Sequence, residues 1–298
     1  MKDSSDLEVR SPEAREILAG AVDLHIHTAP DIRHRKGDDL EITRRASEAG
    51  MRAIVLKSHL EPTASRATIA QRLYPGVKVF GGIALNHSCG GLNPLAVEVA
   101  LQMGAKIVWM PTISAENDLG FTGIGKARES YGLVEGGRGI TILDENGGIL
   151  PAVASILEIV AHKDVILATG HLSLRETLAL VSAARSAGVR KILVNHPEID
   201  RTRLPLDVQK QLAEDGAYLE RCFVVTKMGP RYSCAQLAAI IREVGPGSTV
   251  MATDLGQAGN PWPHEGMLEY ISGLLQGGIS RTDIQRMAKS NPAALLNL

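Results

Sequence analysis

Asp23-Leu24-His25-Ile26-His27-Thr28 is the stretch on which the fold turns, because it places two histidines at the end of the apolar run that starts at Ala21. Side chains at i and i+2 of a strand project from the same face, so a strand here aims both imidazoles at one point. Two rings buried together need partners for their nitrogens, and a shared metal cation is one that serves both. His59, His87, His171 and His196 recur just after later apolar runs, so that six of the nine histidines fall where a predicted strand ends. Asp254, after Val250-Met-Ala-Thr253, closes the series.

Outward from that segment, short apolar runs alternate with amphipathic ones, the pattern of βα units around a parallel sheet. Eight runs read as strands, at residues 22–27, 53–57, 77–85, 105–110, 165–169, 191–195, 217–223 and 248–253. Most lack polar alternation, as strands covered on both faces do. The segments between them carry helix punctuation. Acids open residues 38–49 and Gly50 follows; Asn93-Pro94 caps a helix closed by Gly104; Ser173 with Glu176 forms a capping box for a helix that stops near Gly188. Ser233 opens another, ended by Gly245, and Ser280 with Asp283 starts a last helix that Asn291-Pro292 is expected to break.

Eight such units predict one α/β domain over residues 1–298, a single (β/α)8 TIM-type barrel, with an open doubly wound sheet as the alternative. The barrel is preferred because parallel strands present their C-terminal ends to one face. His25, His27, His59, His87, His171, His196, Glu220 and Asp254 would converge there. The connection 111–148, after the fourth strand, far exceeds an ordinary βα loop and is expected to be an insertion that covers the site. Residues 139–143 and 149–150, around the turn Asn146-Gly147, suggest a small β-hairpin within it.

A formal net charge of −1 over 298 residues, without blocks of like charge, argues against nucleic acid or an anionic membrane as partner and favours a small-molecule substrate. Three widely spaced cysteines, Cys89, Cys222 and Cys234, indicate neither a disulfide framework nor a thiolate zinc knuckle. The charged N-terminus lacks the apolar region of a signal peptide, and no run reaches membrane-spanning length. A soluble, unprocessed cytoplasmic protein is expected, and the sequence leaves open whether it is a homo-oligomer.

Taken in order, these motifs resemble the metal-dependent amidohydrolase superfamily. Its barrels carry His-x-His on strand one, single histidines on strands five and six and an aspartate on strand eight, and His25-Ile-His27, His171, His196 and Asp254 match those four places. Asn291-Pro292-Ala293 is similar to the closing Asn-Pro-Ala of the superfamily, so the resemblance spans nearly the whole chain. It implies a barrel in which His25, His27, His171, His196 and Asp254 bind one or two divalent metal ions. Binuclear members bridge their metals with a lysine carbamate or glutamate late on strand four, whereas Ile107-Val-Trp109-Met110 contains neither. Lys57 and Glu220 are the candidates to bridge the metals, or else a substrate contact and a hydrogen-bond partner of a ligand histidine, respectively. The opening segment, with Leu56-Lys-Ser-His59, also resembles the polymerase and histidinol phosphatase (PHP) phosphoesterases. That likeness is weaker, because glycine stands at 256 where their final Asp-x-His needs histidine.

The resemblance implies a hydrolase in which a metal-activated water cleaves an amide, cyclic amide or ester bond, with Asp254 as metal ligand and proton acceptor. His59 joins Asp254 as a catalytic candidate, and Arg66, Asn86 and His87 are candidate substrate contacts. Zinc suits the imidazole-rich donor set best, with manganese or iron as alternatives. Asp31, Arg33 and Arg35, after strand one, could meet an anionic substrate at the mouth. His34, His162 and His264 read as solvated surface. A PHP-like phosphoesterase, a metal-dependent decarboxylase and a non-catalytic metal-binding protein are the competing expectations.

Overall fold

The computed structural model describes residues 12–122, 138–229 and 232–298. Among them nine short strands alternate with helices: β1 (Val22–His27), β2 (Ala53–Lys57), β3 (Lys78–Phe80), β4 (Gly82–Ala84), β5 (Ile107–Trp109), β6 (Ile166–Ala168), β7 (Ile192–Asn195), β8 (Tyr218–Cys222) and β9 (Thr249–Ala252). Every paired couple is parallel, in the orders β1-β2-β3 and β4-β5-β6-β7-β8-β9. The helices are α1 (Pro12–Leu18), α2 (Asp39–Glu48), α3 (Ala64–Leu73), α4 (Pro94–Gln102), α5 (Glu116–Thr122), α6 (Pro151–Lys163), α7 (Leu174–Ser186), α8 (Leu206–Glu214), α9 (Cys234–Val244), α10 (Pro263–Gln276), α11 (Arg281–Gln285) and α12 (Asn291–Leu296).

The α/β alternation agrees with the sequence, but the continuous eight-stranded ladder does not appear. It is interrupted at two seams. The predicted third strand divides at Gly81 because Thr63, which precedes α3, occupies the neighbouring ladder: its N–H and Oγ1 donate to the Gly82 carbonyl at 3.0 and 3.3 Å, and its Oγ1 accepts from Gly82 N at 2.9 Å. A Cβ on Gly81 would stand 2.4 Å from the Thr63 carbonyl carbon, so only glycine fits. Between β9 and β1 the ladder shrinks to one bridge, Ile26 with Leu255, flanked by His27 N to Leu255 O at 2.7 Å and Asp254 N to His25 O at 2.8 Å. Asp23 stitches the same seam from below, accepting from Thr253 Oγ1 at 2.5 Å and from Thr253 N at 3.0 Å.

Apolar residues fill three zones. Val22, Leu24, Val55, Ala84, Trp109, Ile166 and Leu193 cluster between the strands, while two larger clusters lie between strands and helices. All six residues of β1 are buried, which accounts for the absence of polar alternation. Helix starts follow the expected chemistry: Asp38 accepts from Glu41 N, Asn93 from Leu95 N and Ala96 N, and Ser173 and Ser233 form capping boxes with Glu176 and Gln236.

Two local expectations change. Asn291-Pro292 does not break the last helix; α11 runs through a π-helical turn at Arg286–Ser290 directly into α12. The wider turn gives room for the proline ring and absorbs its missing N–H. In the connection 111–148, residues 123–137 lie outside the described ones. The rest holds α5 and, in place of a two-stranded hairpin, a single antiparallel bridge between Leu143 and Ile149. The turn between them is closed by the Asp144 carboxylate, which accepts from Asn146 N and Gly148 N.

Candidate metal centre

Parallel strands deliver the side chains at their C-terminal ends to a common place, and here five imidazoles arrive together. Ring centroids are 5.3 Å apart for His25–His27, 4.7 Å for His27–His59, 6.1 Å for His59–His171, 5.6 Å for His171–His196 and 5.3 Å for His196–His25. The five therefore form a closed circuit contributed by β1 and the ends of β2, β6 and β7. Asp254 reaches into it from the end of β9: its Oδ1 lies 3.2 Å from His25 Nε2 and 3.1 Å from His27 Nε2, and its Oδ2 lies 3.7 Å from His196 Nε2.

Backbone geometry turns these groups inward. His196 and Asp254 have φ of 50° and 52°, left-handed conformations that non-glycine residues seldom adopt. His171 follows Gly170 at φ 61°, where a Cβ would meet the Met110 carbonyl oxygen at 2.3 Å. The strands thus end in abrupt reversals that leave the imidazoles and the carboxylate projecting past the sheet.

A layer of partners orients the rings. Glu220 Oε2, on β8, is 3.0 Å from His25 Nδ1 and accepts from Asn195 Nδ2 at 2.6 Å. His25 Nδ1 therefore faces Glu220 and its Nε2 faces Asp254. His171 Nδ1 lies 3.1 Å from Asp118 Oδ1, the same oxygen that accepts from Arg201 Nη1 at 2.6 Å. His59 Nδ1 lies 2.8 Å from Thr112 Oγ1, which Asn86 Nδ2 also contacts at 2.7 Å. Glu220 accordingly stands behind His25, on the side away from Asp254, in hydrogen-bond contact with that ring.

Burial decides the protonation states. It lowers His27 and His59 well below the ordinary imidazole range, lowers His171, and brings His196 to about 3, so these rings are neutral and able to donate lone pairs. For Asp254 burial acts upward, but the facing His25, His27 and His196 outweigh it and hold the carboxyl well below its usual value. Glu220 is brought to about 2 against the upward push of burial, by His25 and Asn195. Asp23, whose burial dominates its hydrogen bonds to Thr253 and His25, rises to about 7.

The donor set fits a divalent cation. His25 Nε2 and His27 Nε2 lie 3.2 and 3.1 Å from one Asp254 oxygen, a spacing at which a single cation can be held by all three. His27 Nδ1, His196 Nδ1 and Glu220 Oε1, atoms other than those that face Asp254, are buried without a hydrogen-bond partner among the described residues. His25, His27 and Asp254 bring one ligand atom each within 4.8 Å of one another; so do His25, His196, Glu220 and Cys222, but that second grouping would use the His25 nitrogen already held by Glu220. Lys57 approaches the same ring, its affinity for a proton lowered by burial and partly restored by Asp254 and Glu220. The residue is 1% exposed, and its Nζ is 2.9 Å from His25 Nε2 and 5.2 Å from the centre of the Trp109 ring. Trp109 fills the end of β5 where the superfamily pattern calls for a bridging residue, and Lys57 from β2 enters the space above it.

The circuit opens into a cavity of about 250 Å³ lined by His27, Lys57, His59, His171, His196 and Asp254, with further residues at its mouth. His34 and His162 are exposed and His264 half-buried. Three candidate substrate contacts do not line this cavity. Arg66 is held by Asp39, Glu61 and Thr28 on the flank of α3. Asn86 is buried and wired to His59 O and to the backbone N–H groups of Thr112 and Ser114. His87 is exposed, with its Nε2 3.1 Å from Arg138 O. Sequence patterning did not single out Asp118, Asn195, Thr112 or Arg201, because each acts through a long-range contact that no local spacing encodes.

A family model described as a family of unknown function, DUF6282, matches residues 20–220. The chain belongs to that family. The matched part of this DUF6282 chain includes all five circuit histidines, Lys57 and Glu220, and ends before Asp254. No curated protein matches the sequence. Among solved structures, it is similar to an amidohydrolase from Pseudomonas aeruginosa, at 13% identity and TM-score 0.65 over 95% of this chain and 98% of that one. It is also similar to a phosphotriesterase homology protein from Escherichia coli solved with phosphate in its active site, at 16% identity and TM-score 0.61 over 93% and 99% of the two chains. A third is a 2,6-dihydroxybenzoate decarboxylase, at 14% identity and TM-score 0.56 over 94% and 99%. All three are amidohydrolase-superfamily proteins, so the resemblance drawn from the motifs holds for the fold. At these identities the likeness establishes the architecture alone. No helix among the described residues is long and apolar enough to cross a membrane.

Proposed function

We propose that this DUF6282 protein is a metal-dependent hydrolase of a small molecule, acting on an amide, cyclic amide or ester bond with water as nucleophile, on a TIM-type barrel interrupted at its two seams. The observation that carries the proposal is the convergence of five buried imidazoles, four of them held neutral by burial, and one ionised carboxylate at the C-terminal ends of parallel strands. His25, His27 and Asp254 would hold one divalent cation and His171 and His196 the same ion or a second, with zinc the first choice and manganese or iron next. A cation held there would acidify a coordinated water towards neutrality and polarise a carbonyl oxygen.

The residues supply the rest. Asp254, kept ionised beside three imidazoles, accepts the proton of the attacking water and returns it to the leaving group. Glu220 and Asp118 hold His25 and His171 in single orientations, which fixes where their lone pairs point. Lys57 stands where its amine can bridge or steady negative charge close to His25. His59, between His27 and His171, faces the bond to be broken.

Decarboxylation is the second reading. It is favoured by β5 ending in Trp109, with no carboxylate or lysine to bridge a metal pair. Turnover in 18O-labelled water separates the two: a hydrolase places the label in its product, whereas release of carbon dioxide without label incorporation sinks the hydrolytic proposal.

A further inference from the structure

The mouth of the cavity is strongly biased in charge. Among the described residues, Arg33, Arg35, Lys57, Arg201 and Lys227 line it against one carboxylate, that of Asp254. The acids that pair with three of these cations, Asp31 with Arg35, Asp118 with Arg201 and Glu269 with Lys227, are not among the lining residues. The surface met by an incoming molecule is therefore cationic, although the whole chain carries a net charge of −1.

Arg201 is placed to use that bias. It lies on the 3-10 turn Asp200–Thr202 after β7, with its side chain 25% exposed, and its Nη1 is bound to Asp118 Oδ1. The same oxygen holds His171, so the guanidinium and the imidazole are fixed relative to one another through one atom. A guanidinium committed at Nη1 still offers donors along its other edge, a geometry suited to two oxygens of one anion.

On its far side Arg201 borders a second cavity, of about 310 Å³, which shares Ile199, Arg201 and Met228 with the first and adds Phe121, Tyr232 and, at its edge, Asp200, whose carboxylate is 3.4 Å from Arg203 Nη2. Val224 and Val225 continue the apolar wall within the first cavity. Arg201 thus stands at a junction: imidazoles and Asp254 on one side, a recess whose apolar wall is Phe121, Ile199 and Met228 on the other.

We infer that Arg201 is the anchor for the anionic group of an amphiphilic organic substrate, a carboxylate or phosphate whose hydrocarbon portion lies on Phe121, Ile199 and Met228. This rests on the hydrolase proposal for the reaction, but the anion subsite itself belongs to Arg201 and Asp118. An anion held there is delivered beside His171 with its apolar body excluded from water, which orients the molecule before any bond is broken.

The test is calorimetric titration of the purified protein, with metal content measured on the same samples, using phenylacetate, phenyl phosphate and the neutral phenylacetamide as probes. At least one anion should bind at least about tenfold more tightly than phenylacetamide, and whichever anion binds better identifies the group. Arg201→Met should erase about tenfold or more of that preference with metal content unchanged, and Arg201→Lys should restore part of it. Equal binding of the amide and both anions, no binding of either anion, or an unchanged preference in Arg201→Met each overturns the inference. Arg201-dependent binding in a protein without metal would instead overturn the hydrolase proposal and leave the subsite standing.

Discussion

Under the proposed function Asp254 carries the largest single chemical demand in the site, because it would both hold the cation beside His25 and His27 and accept the proton of the attacking water. Asp254→Asn keeps the shape and removes the charge. It should lower kcat by about 10²- to 10⁴-fold in steady-state assays, and turnover equal to the wild type would remove Asp254 from the mechanism. Glu220→Gln keeps an acceptor oxygen for His25 but not its charge. The expected outcome is a metal affinity weaker by roughly 10- to 100-fold in competition with a chromogenic chelator, in a protein of unchanged circular dichroism.

The buried imidazoles also make stability depend on pH. His196 titrates near 3 in the folded protein against 6.5 as a free side chain, and His27, His59 and His171 are displaced in the same direction. In that window the unfolded chain binds more protons, so stability is complete above pH 6.5 and is lost as pH falls towards about 3. Calorimetric scans in chelator should show Tm falling steadily from about pH 7 to about pH 5, before most carboxylates titrate. A flat Tm over that range would mean that these rings are not buried neutral.

At the scale of elements, the seam between β9 and β1 is where site and scaffold meet. Asp23, Thr253 and the backbone of His25, His27, Asp254 and Leu255 tie the two strands together without a continuous ladder. Thr253→Val keeps the volume and removes the hydroxyl that donates to Asp23. The loss should be about 1–3 kcal/mol by denaturant unfolding, with a larger effect on metal retention than on secondary structure. This seam also shows what local spacing conveys and what it does not. His25-Ile26-His27 at a strand end was legible because a period of two is local, as were the capping boxes at Ser173 and Ser233. The break at Gly81 was not, since it arises from Thr63 entering a ladder 19 residues further along the chain. Arg66, Asn86 and His87 follow the right strands, yet pair with Asp39, Thr112 and Arg138 instead of facing the cavity; the direction of a side chain beyond a strand end is set by the loop that receives it.

For the whole molecule, the order of strands brings together groups as distant in sequence as His25 and Asp254, and strand order was readable from the alternation of apolar runs. Of the orienting layer, Glu220 was readable from its place on a predicted strand, whereas Asp118 and Arg201 were not, because the first lies in a connection with no periodic signal and the second in a short turn. The central claim is that this convergence exists to hold a metal ion. Elemental analysis of the purified protein, wild type beside His25→Ala, tests it most directly. The account requires one or two divalent ions per wild-type chain, lost from His25→Ala while the fold persists. A wild-type protein that carries no transition metal, and that zinc, manganese or iron neither loads nor stabilises against heat, would contradict it.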